Sequence, residues 1–386
     1  MNLMKNKKIQ ISINNKIIDC QIGQTILEVC QKNKIEIPFL CYHPNLEIKS
    51  NCRICLVEIK EKKGLFTACS TRVENKMKIL TSSPKIERAR KINLELIFSQ
   101  HCEECNDCIW KFNCKLLKLA KKYQVEITRF SDRKKGYAVY QFDSSFIFDS
   151  SKCIDCRNCV EVCQKQGINF LEIKERGHLF QIIPSQDKKK SCIYCGQCIT
   201  HCPVGAFEGV GEFEETENLF KKNDKIIVFQ FSPAVKTSIN EEFNLPLKKT
   251  ITEKLVEGIK KLGVSKVFDI REGIDFFIDF EADEMIKKLL SKKKLPIFSS
   301  FCPSLVKFVE FYYPEFIPNL SSVKSPHLIL GNLIKTAHSK KEKIDLKKII
   351  VVSVLSCIAA KYEIQKEFKK NKTKPVDYVL TTRELA

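Results

Sequence analysis

Two segments, CIDCRNCVEVC (153–163) and CIYCGQCITHCP (192–203), repeat one spacing, C-x2-C-x2-C-x3-C. Zinc sites do not use four cysteines in this rhythm twice, whereas 4Fe–4S sites do. When the run is doubled, the fourth cysteine of each serves the other cluster. The spacing therefore assigns Cys153, Cys156, Cys159 and Cys202 to one 4Fe–4S site. Cys192, Cys195, Cys198 and Cys163 form the second. The chain between the runs must fold so that each closes on the other.

Two further constellations precede this pair. Cys41, Cys52, Cys55 and Cys69 follow C-x10-C-x2-C-x13-C. A 2Fe–2S rhomb needs two thiolates per iron, and a long loop plus a cysteine near a strand supplies them. A structural zinc site is the competing reading. His101, Cys105, Cys108 and Cys114 follow H-x3-C-x2-C-x5-C. This suits a His-ligated 4Fe–4S cluster, although the local motif alone also suits zinc. Cys20 and Cys30 read as core residues, Cys102 as an extra thiol, Trp110 as packing and His201 as a surface histidine.

Eighteen of the 20 cysteines lie before residue 203. No signal-peptide core follows the basic start MNLMKNKKIQ, and no apolar run is long enough to span a bilayer. The expectation is a cytoplasmic protein without a transmembrane segment, whose cysteines bind metal. The formal charge of +20 invites a nucleic-acid reading, but lysine is spread along the whole chain. Four bound clusters would lower it to roughly +13. A basic face for an acidic redox partner accounts for this charge without nucleic acid.

The chain reads as an α+β multidomain protein. In residues 1–82, KKIQISI and IIDCQIG form a hairpin around NNK, and Thr25 with Glu28 opens a helix through Lys32. CLVEIK and LFTAC form a second strand pair. This is a β-grasp type of 2Fe–2S domain. Residues 83–130 form a helical His/Cys cluster segment that opens with KIERARKINLELIFSQ. Residues 131–215 hold the two-cluster ferredoxin domain, with 131–147 an irregular connector. From 216 to 386, KIIVFQF, VSKVFDI, KLPIFSS and KKIIVVSVL read as strands between helices such as ITEKLVEGIKKL and PSLVKFVEFYY, a parallel α/β sheet. Cys302 and Cys357 fall at the carboxyl ends of two of these strands, where such sheets bind ligands. Two buried structural cysteines are the plainer alternative. No Gly-rich dinucleotide fingerprint is present, so nicotinamide or flavin chemistry would sit on another subunit.

The cluster order, with FSPAVKTSINEEF, PIFSSFCPSLVKF, NLSSVKSPHLILG and SVLSCIAAKYE, resembles the FeFe (iron-only) hydrogenases. The first half is also similar to the large iron–sulfur subunit of complex I. In both families a His-ligated 4Fe–4S cluster follows the 2Fe–2S domain. The resemblance implies that Cys302 and Cys357 ligate the 4Fe–4S part of the catalytic H-cluster. It also implies that Glu281, Ser321 and Glu284 belong to a proton path.

The departures are specific. Phe301 stands where the family has a proton-relaying cysteine, and Ala360 where it has a lysine. Leu355 and Ser356 replace methionine and proline. The family's two remaining H-cluster cysteines would lie past Ala386, so 216–386 reads as a truncated catalytic domain. An H-cluster would require completion by further sequence or a partner. The expected function is an iron–sulfur electron-transfer oxidoreductase subunit with one 2Fe–2S and three 4Fe–4S clusters. It would reduce protons reversibly if the missing ligands were supplied. The alternative is a non-catalytic electron-transfer or sensory subunit of an NADH-linked complex. Expected partners are a ferredoxin or an NAD(P)H- or flavin-binding subunit.

Overall fold

The computed structural model describes residues 8–386 apart from 102–104, 106–107, 109, 111–113, 127, 222–224, 244, 246–251, 292–294, 344 and 372–373. Cys102 lies outside the described residues. The chain forms two compact units. The first holds the residues up to Tyr140 with Phe148–Lys190 and Gln197–Phe207. The second holds Gln141–Ile147, Ser191–Gly196 and Glu208–Ala386.

The first unit opens with the expected hairpin, β1 (Lys8–Ile13) and β2 (Lys16–Gln21). Its turn residues Asn14 and Asn15 have φ of 50° and 68°. Two left-handed residues make the turn that matches strand twist, and asparagine tolerates that conformation. Helix α1 (Ile26–Lys32) starts at Thr25, whose capping box with Glu28 is complete. Strands β3 (Leu56–Ile59), β4 (Phe66–Thr67) and β5 (Lys78–Leu80) finish a five-stranded sheet of order β2-β1-β5-β3-β4, with β1 and β5 parallel. Ile11, Ile13, Ile26, Leu27 and Val57 fill its core, and Cys20 and Cys30 are buried there as expected.

Helix α2 (Pro84–Phe98) begins with Ser83 as cap and Pro84 in its first turn. The buried Arg90 on α2 donates to the Leu56 and Thr81 carbonyls at 2.7 and 3.0 Å. It also reaches Tyr123 just past α3 (Lys115–Lys122), tying the helical segment to the sheet. Strands β6 (Val139–Phe142) and β7 (Phe146–Asp149) take up the last part of the expected connector, because VYQF and FIFD carry enough bulky residues to pair. Helix α4 (Asn158–Lys165), the antiparallel pair β8 (Leu171–Lys174) and β9 (Gln181–Pro184), and helix α5 (Gln197–His201) follow.

Strand β10 (Phe207–Gly209) and α6 (Glu212–Lys221) lead into the second sheet. That sheet contains β11 (Ile226–Phe231) followed by α7 (Pro233–Glu242) and α8 (Thr252–Lys261), and β12 (Lys266–Asp269) followed by α9 (Arg271–Ser291). After α10 (Pro303–Tyr312), α11 (Pro326–Leu333) and α12 (Ser339–Glu342) come β13 (Ile349–Leu355), α13 (Ala359–Asn371), β14 (Tyr378–Thr381) and α14 (Thr382–Leu385). The strand order is β12-β11-β13-β14, all parallel. Val228, Val351 and Val379 pack on one face, with Leu328 and Ile364 of α11 and α13. Phe229, Phe231, Val352 and Val354 pack on the other, with Val235 and Ile259 of α7 and α8. Burial on both faces explains why these strands read as continuous apolar runs.

One expected strand is missing. KLPIFSS contributes only an isolated bridge between Phe298 and Leu320, and β14, from VDYVL, takes the fourth place in the sheet. Pro296 has no N–H to donate to a ladder. Cys302 therefore caps helix α10 and does not end a strand of the sheet, whereas Cys357 does follow β13.

Close approach of helices sets one glycine. A Cβ on Gly273 of α9 would lie 2.4 Å from the Pro326 carbonyl oxygen. Gly273→Ala gains about 1 kcal/mol of helix propensity. Overpacking against backbone, which cannot swing aside, costs about 1–3 kcal/mol. The clash should win, and amide exchange in α9 and α11 of the variant should accelerate several-fold.

Candidate iron–sulfur sites and the hydrogenase-like region

The loop from Cys41 to Cys55 winds through two left-handed residues, Ser50 (φ 56°) and Arg53 (φ 52°). It brings four buried thiols together as two pairs. Cys52 donates its S–H to Cys41, and this bond outweighs burial to bring Cys41 down to about 6 while Cys52 is driven up. Cys55 donates likewise to Cys69, which falls to about 7 while Cys55 is driven up. Ser50 Oγ lies 3.5 Å from Cys69 Sγ. Two thiols per pair fit two irons.

His101, Cys105, Cys108 and Cys114 are all described. His101 Nδ1 is 2.8 Å from the Lys152 carbonyl oxygen. A carbonyl only accepts, so the neutral ring carries its proton on Nδ1 and presents the Nε2 lone pair, the form a metal takes. Cys114 caps α3 and accepts from Leu117 N at 3.4 Å, and Cys108 accepts from Trp110 N at 3.4 Å. Such N–H···S bonds steady a thiolate and tune its cluster.

The two C-x2-C-x2-C loops are built alike. Left-handed residues occupy matching places, Asp155 and Arg157 in the first and Tyr194 and Gly196 in the second. These turns aim backbone N–H groups inward. Asp155 N donates to Cys153 at 3.4 Å and Tyr194 N to Cys192 at 3.3 Å. Cys153, Cys156, Cys159 and Cys202 are buried and close enough to raise one another's pKa, though burial is the larger cause. They fit one four-iron cluster. Cys163 on α4 accepts from Phe170 N at 3.3 Å, and Cys198 lies on the neighbouring α5.

Three of these sites adjoin. The Cys156 thiol feels Cys41, and Cys202 feels Cys114. The 41–55 loop is docked on α4 and its leading turn. Lys49 pairs with Glu161 at 2.7 Å, Glu47 N donates to the same carboxylate at 3.0 Å, and Asn51 donates to the Asp155 carbonyl at 3.0 Å. His201 is half-buried instead of a free surface residue, its ring 4.4 Å from that of His43.

In the second unit Cys302 is exposed and Cys357 half-buried. Burial raises the Cys357 thiol, and Cys302 and Glu363 nearby add to the rise. The two cysteines are thus near each other. Two thiols do not complete a four-ligand cluster, and no further ligand joins them among the described residues. Phe301 lies edge-on to Phe277, at 5.3 Å, and has no proton to pass. Ala360 is buried, and the adjacent Lys361 is committed to Glu384 at 2.8 Å and the Val210 carbonyl at 2.7 Å.

Ser321 Oγ donates to Glu284 at 3.1 Å. Burial works against ionisation of Glu284, but Lys288 at 2.8 Å and the Ser322 N–H and hydroxyl prevail and hold it at about 2. Glu281 Oε1 is buried without a hydrogen-bond partner. Ser321 and Glu284 thus meet, while Glu281 stands apart from their hydrogen bonds. The sequence reading missed a hydrogen-bonded group of largely buried polar residues that reaches Glu363, near Cys357. Gln230 donates to Ser353 Oγ at 2.6 Å and to the His327 carbonyl at 2.8 Å, and His327 Nε2 meets Glu363 at 2.8 Å. Its signal was present, since Gln230 and Ser353 interrupt apolar strands in matched register.

The chain matches four family descriptions in order. Residues 6–84 match a 2Fe-2S iron-sulfur cluster binding domain, and 90–129 the NADH-ubiquinone oxidoreductase-G iron-sulfur binding region. Residues 152–206 match a 4Fe-4S dicluster domain, and 225–386 the C-terminal domain of the iron only hydrogenase large subunit. The HndD subunit of an NADP-reducing hydrogenase from Solidesulfovibrio fructosivorans is 33% identical over 97% of this chain and 67% of its own. Iron hydrogenase 1 of Clostridium pasteurianum is 34% identical over the same shares. The 75 kDa subunit of the NADH-ubiquinone oxidoreductase of Reclinomonas americana is 31% identical over 51% of this chain and 29% of its own. The chain belongs to the iron-only hydrogenase large-subunit family, and its first half is also similar to the large iron–sulfur subunit of complex I. It is an iron–sulfur electron-transfer oxidoreductase subunit of iron-hydrogenase type. No described helix is long and apolar enough to cross a membrane.

Because Glu284 ionises more readily folded than unfolded, its contribution is present above about pH 4.5 and fades as pH falls toward 2. After solvent screening it is worth about 1–2 kcal/mol. Glu284→Gln should lower the urea midpoint at pH 7 and remove this part of the acid sensitivity. Parallel pH dependence in variant and wild type would refute the assignment.

Proposed function

We propose that the first unit is a junction of electron carriers serving the hydrogenase-like second unit. Bound iron–sulfur clusters supply one-electron chemistry, one 2Fe–2S and three 4Fe–4S on the ligand sets given above. The residues space these sites and set their potentials. The adjacency of Cys41 to Cys156 and of Cys114 to Cys202 carries the reading. It gives the site of Cys153, Cys156, Cys159 and Cys202 two neighbours, so electrons can enter from either a 2Fe–2S or a His-ligated donor. The spacing of Cys192, Cys195, Cys198 and Cys163 gives the ligand set of the remaining 4Fe–4S cluster. The partner is a ferredoxin or a subunit that binds NAD(P)H or flavin, in the cytoplasm.

Hydrogen turnover at Cys302 and Cys357 requires a further polypeptide that completes the domain, with Glu281, Ser321 and Glu284 as its proton path. The state of α9 supports this. Phe276, Ile278, Phe280, Met285, Ile286 and Leu289 are each about half exposed, and Leu290 is 80% exposed. So many exposed large apolar side chains on one helix mark a surface that other polypeptide covers. The chain spans about two thirds of the length of its iron-hydrogenase relatives, which carry more polypeptide to cover such a surface. The second reading, a non-catalytic electron-transfer subunit of an NADH-linked complex, is favoured by Phe301 and Ala360.

The purified chain should carry about 14 irons and no zinc. With reduced viologen it should evolve no hydrogen until the completing polypeptide is added. Hydrogen from the chain alone would overturn the need for completion. A lasting absence of activity in the native complex would select the second reading.

A further inference from the structure

Lys134 is 1% exposed, and nothing in the cluster motifs requires it. Its turn is fixed by Asp132, whose carboxylate accepts from Lys134 N at 2.8 Å, and by Tyr137 N, which donates to the Lys134 carbonyl at 2.9 Å. The ammonium donates to the carbonyl of Cys153 at 2.6 Å and to the carboxylate of Asp155. Arg133 binds the other oxygen of that carboxylate. Asp132 is exposed and Arg133 and Asp155 are only partly buried, so the fully buried Lys134 is the least screened charge in the loop that carries Cys153 and Cys156. The same contacts hold Asp155 in its left-handed conformation, with its N–H on the Cys153 sulfur.

Reducing a cluster adds one electron and breaks no bond, so a fixed charge nearby acts directly on the equilibrium. A buried charge is little screened by salt or water. A lysine that only satisfied a carbonyl could be replaced by any donor. Here a dedicated turn carries a full charge to a ligand's own peptide group.

We propose that Lys134 and Asp155 form a charge clamp that sets the reduction potential of the centre held by Cys153, Cys156, Cys159 and Cys202. The ammonium raises that potential and the carboxylate trims it. This rests on the reading that those four cysteines hold a cluster. It makes the site with two neighbouring donors the one most ready to accept an electron from either. Lys134 is a positioning and tuning residue, not a ligand.

The test is a redox titration of the iron-loaded whole chain, followed by electron paramagnetic resonance. Lys134→Met should move one 4Fe–4S signal to more negative potential by at least 59 mV, a tenfold change in the one-electron equilibrium. Asp155→Asn keeps a residue that tolerates left-handed φ and should move the same signal the opposite way. Lys134→Arg should restore most of the first shift, and the 2Fe–2S signal should move less throughout. Signals present but unshifted would overturn the clamp. So would shifts of the same sign in Lys134→Met and Asp155→Asn, which would report loosened structure. If Lys134→Met loses its iron, the upward shift in Asp155→Asn still decides. A wild-type chain without 4Fe–4S signals would instead refute the ligand reading, and the clamp with it.

Discussion

Sulfur is a ligand only as thiolate, and burial opposes thiolate. Cys153 is pushed up to about 12 and Cys202 to about 11, and Cys156 and Cys159 are also raised. Neither inward N–H groups nor nearby lysines reverse this. Iron supplies the missing positive charge, and in return the thiolates bind it tightly. Cluster assembly and the ordering of these ligand loops are therefore linked.

The loops answer a second demand of the same chemistry. Ligands two residues apart can face one point only if the chain between them turns tightly. Asp155, Arg157 and Tyr194 accept left-handed backbone to do so, where only Gly196 adopts it without penalty. The strain sits at the ligand loops, as expected when function fixes geometry before comfort. The docking of the 41–55 loop on α4 through Lys49, Glu47 and Asn51 follows the same logic. Electron carriers must be near each other, so their loops must be too.

The ligand spacing was legible because cluster chemistry is local: which cysteines, how many apart. The hairpin turn at Asn14–Asn15 and the Thr25–Glu28 capping box were legible for the same reason. What failed was non-local. KLPIFSS looks apolar enough for a strand, but membership in a sheet depends on a neighbour, and Pro296 cannot donate to one. VDYVL is shorter, yet β13 pairs with it through Val352–Leu355. The buried Gln230, Ser353 and His327 and the half-buried Glu363 come from four separate elements, so no window of sequence displays them together. Lys134 was hidden in the polar stretch SDRKKG, where one lysine of two turns inward for reasons set by Cys153 and Asp155 some twenty residues on.

The parallel sheet also has a history in time. Ile226 pairs with Ile349, and the sheet is complete only with Tyr378–Thr381. More than a hundred residues must leave the ribosome after β11 before its main partner exists, and long-range pairing of this kind is slow. During that interval α9, already synthesised, has neither its sheet nor its cover. The first unit, whose ligands are then almost all available, can take up iron meanwhile. A cell making this protein therefore meets its greatest aggregation hazard in the half that holds the fewest ligands, and protection of the nascent chain would matter most between the emergence of residue 271 and that of residue 381.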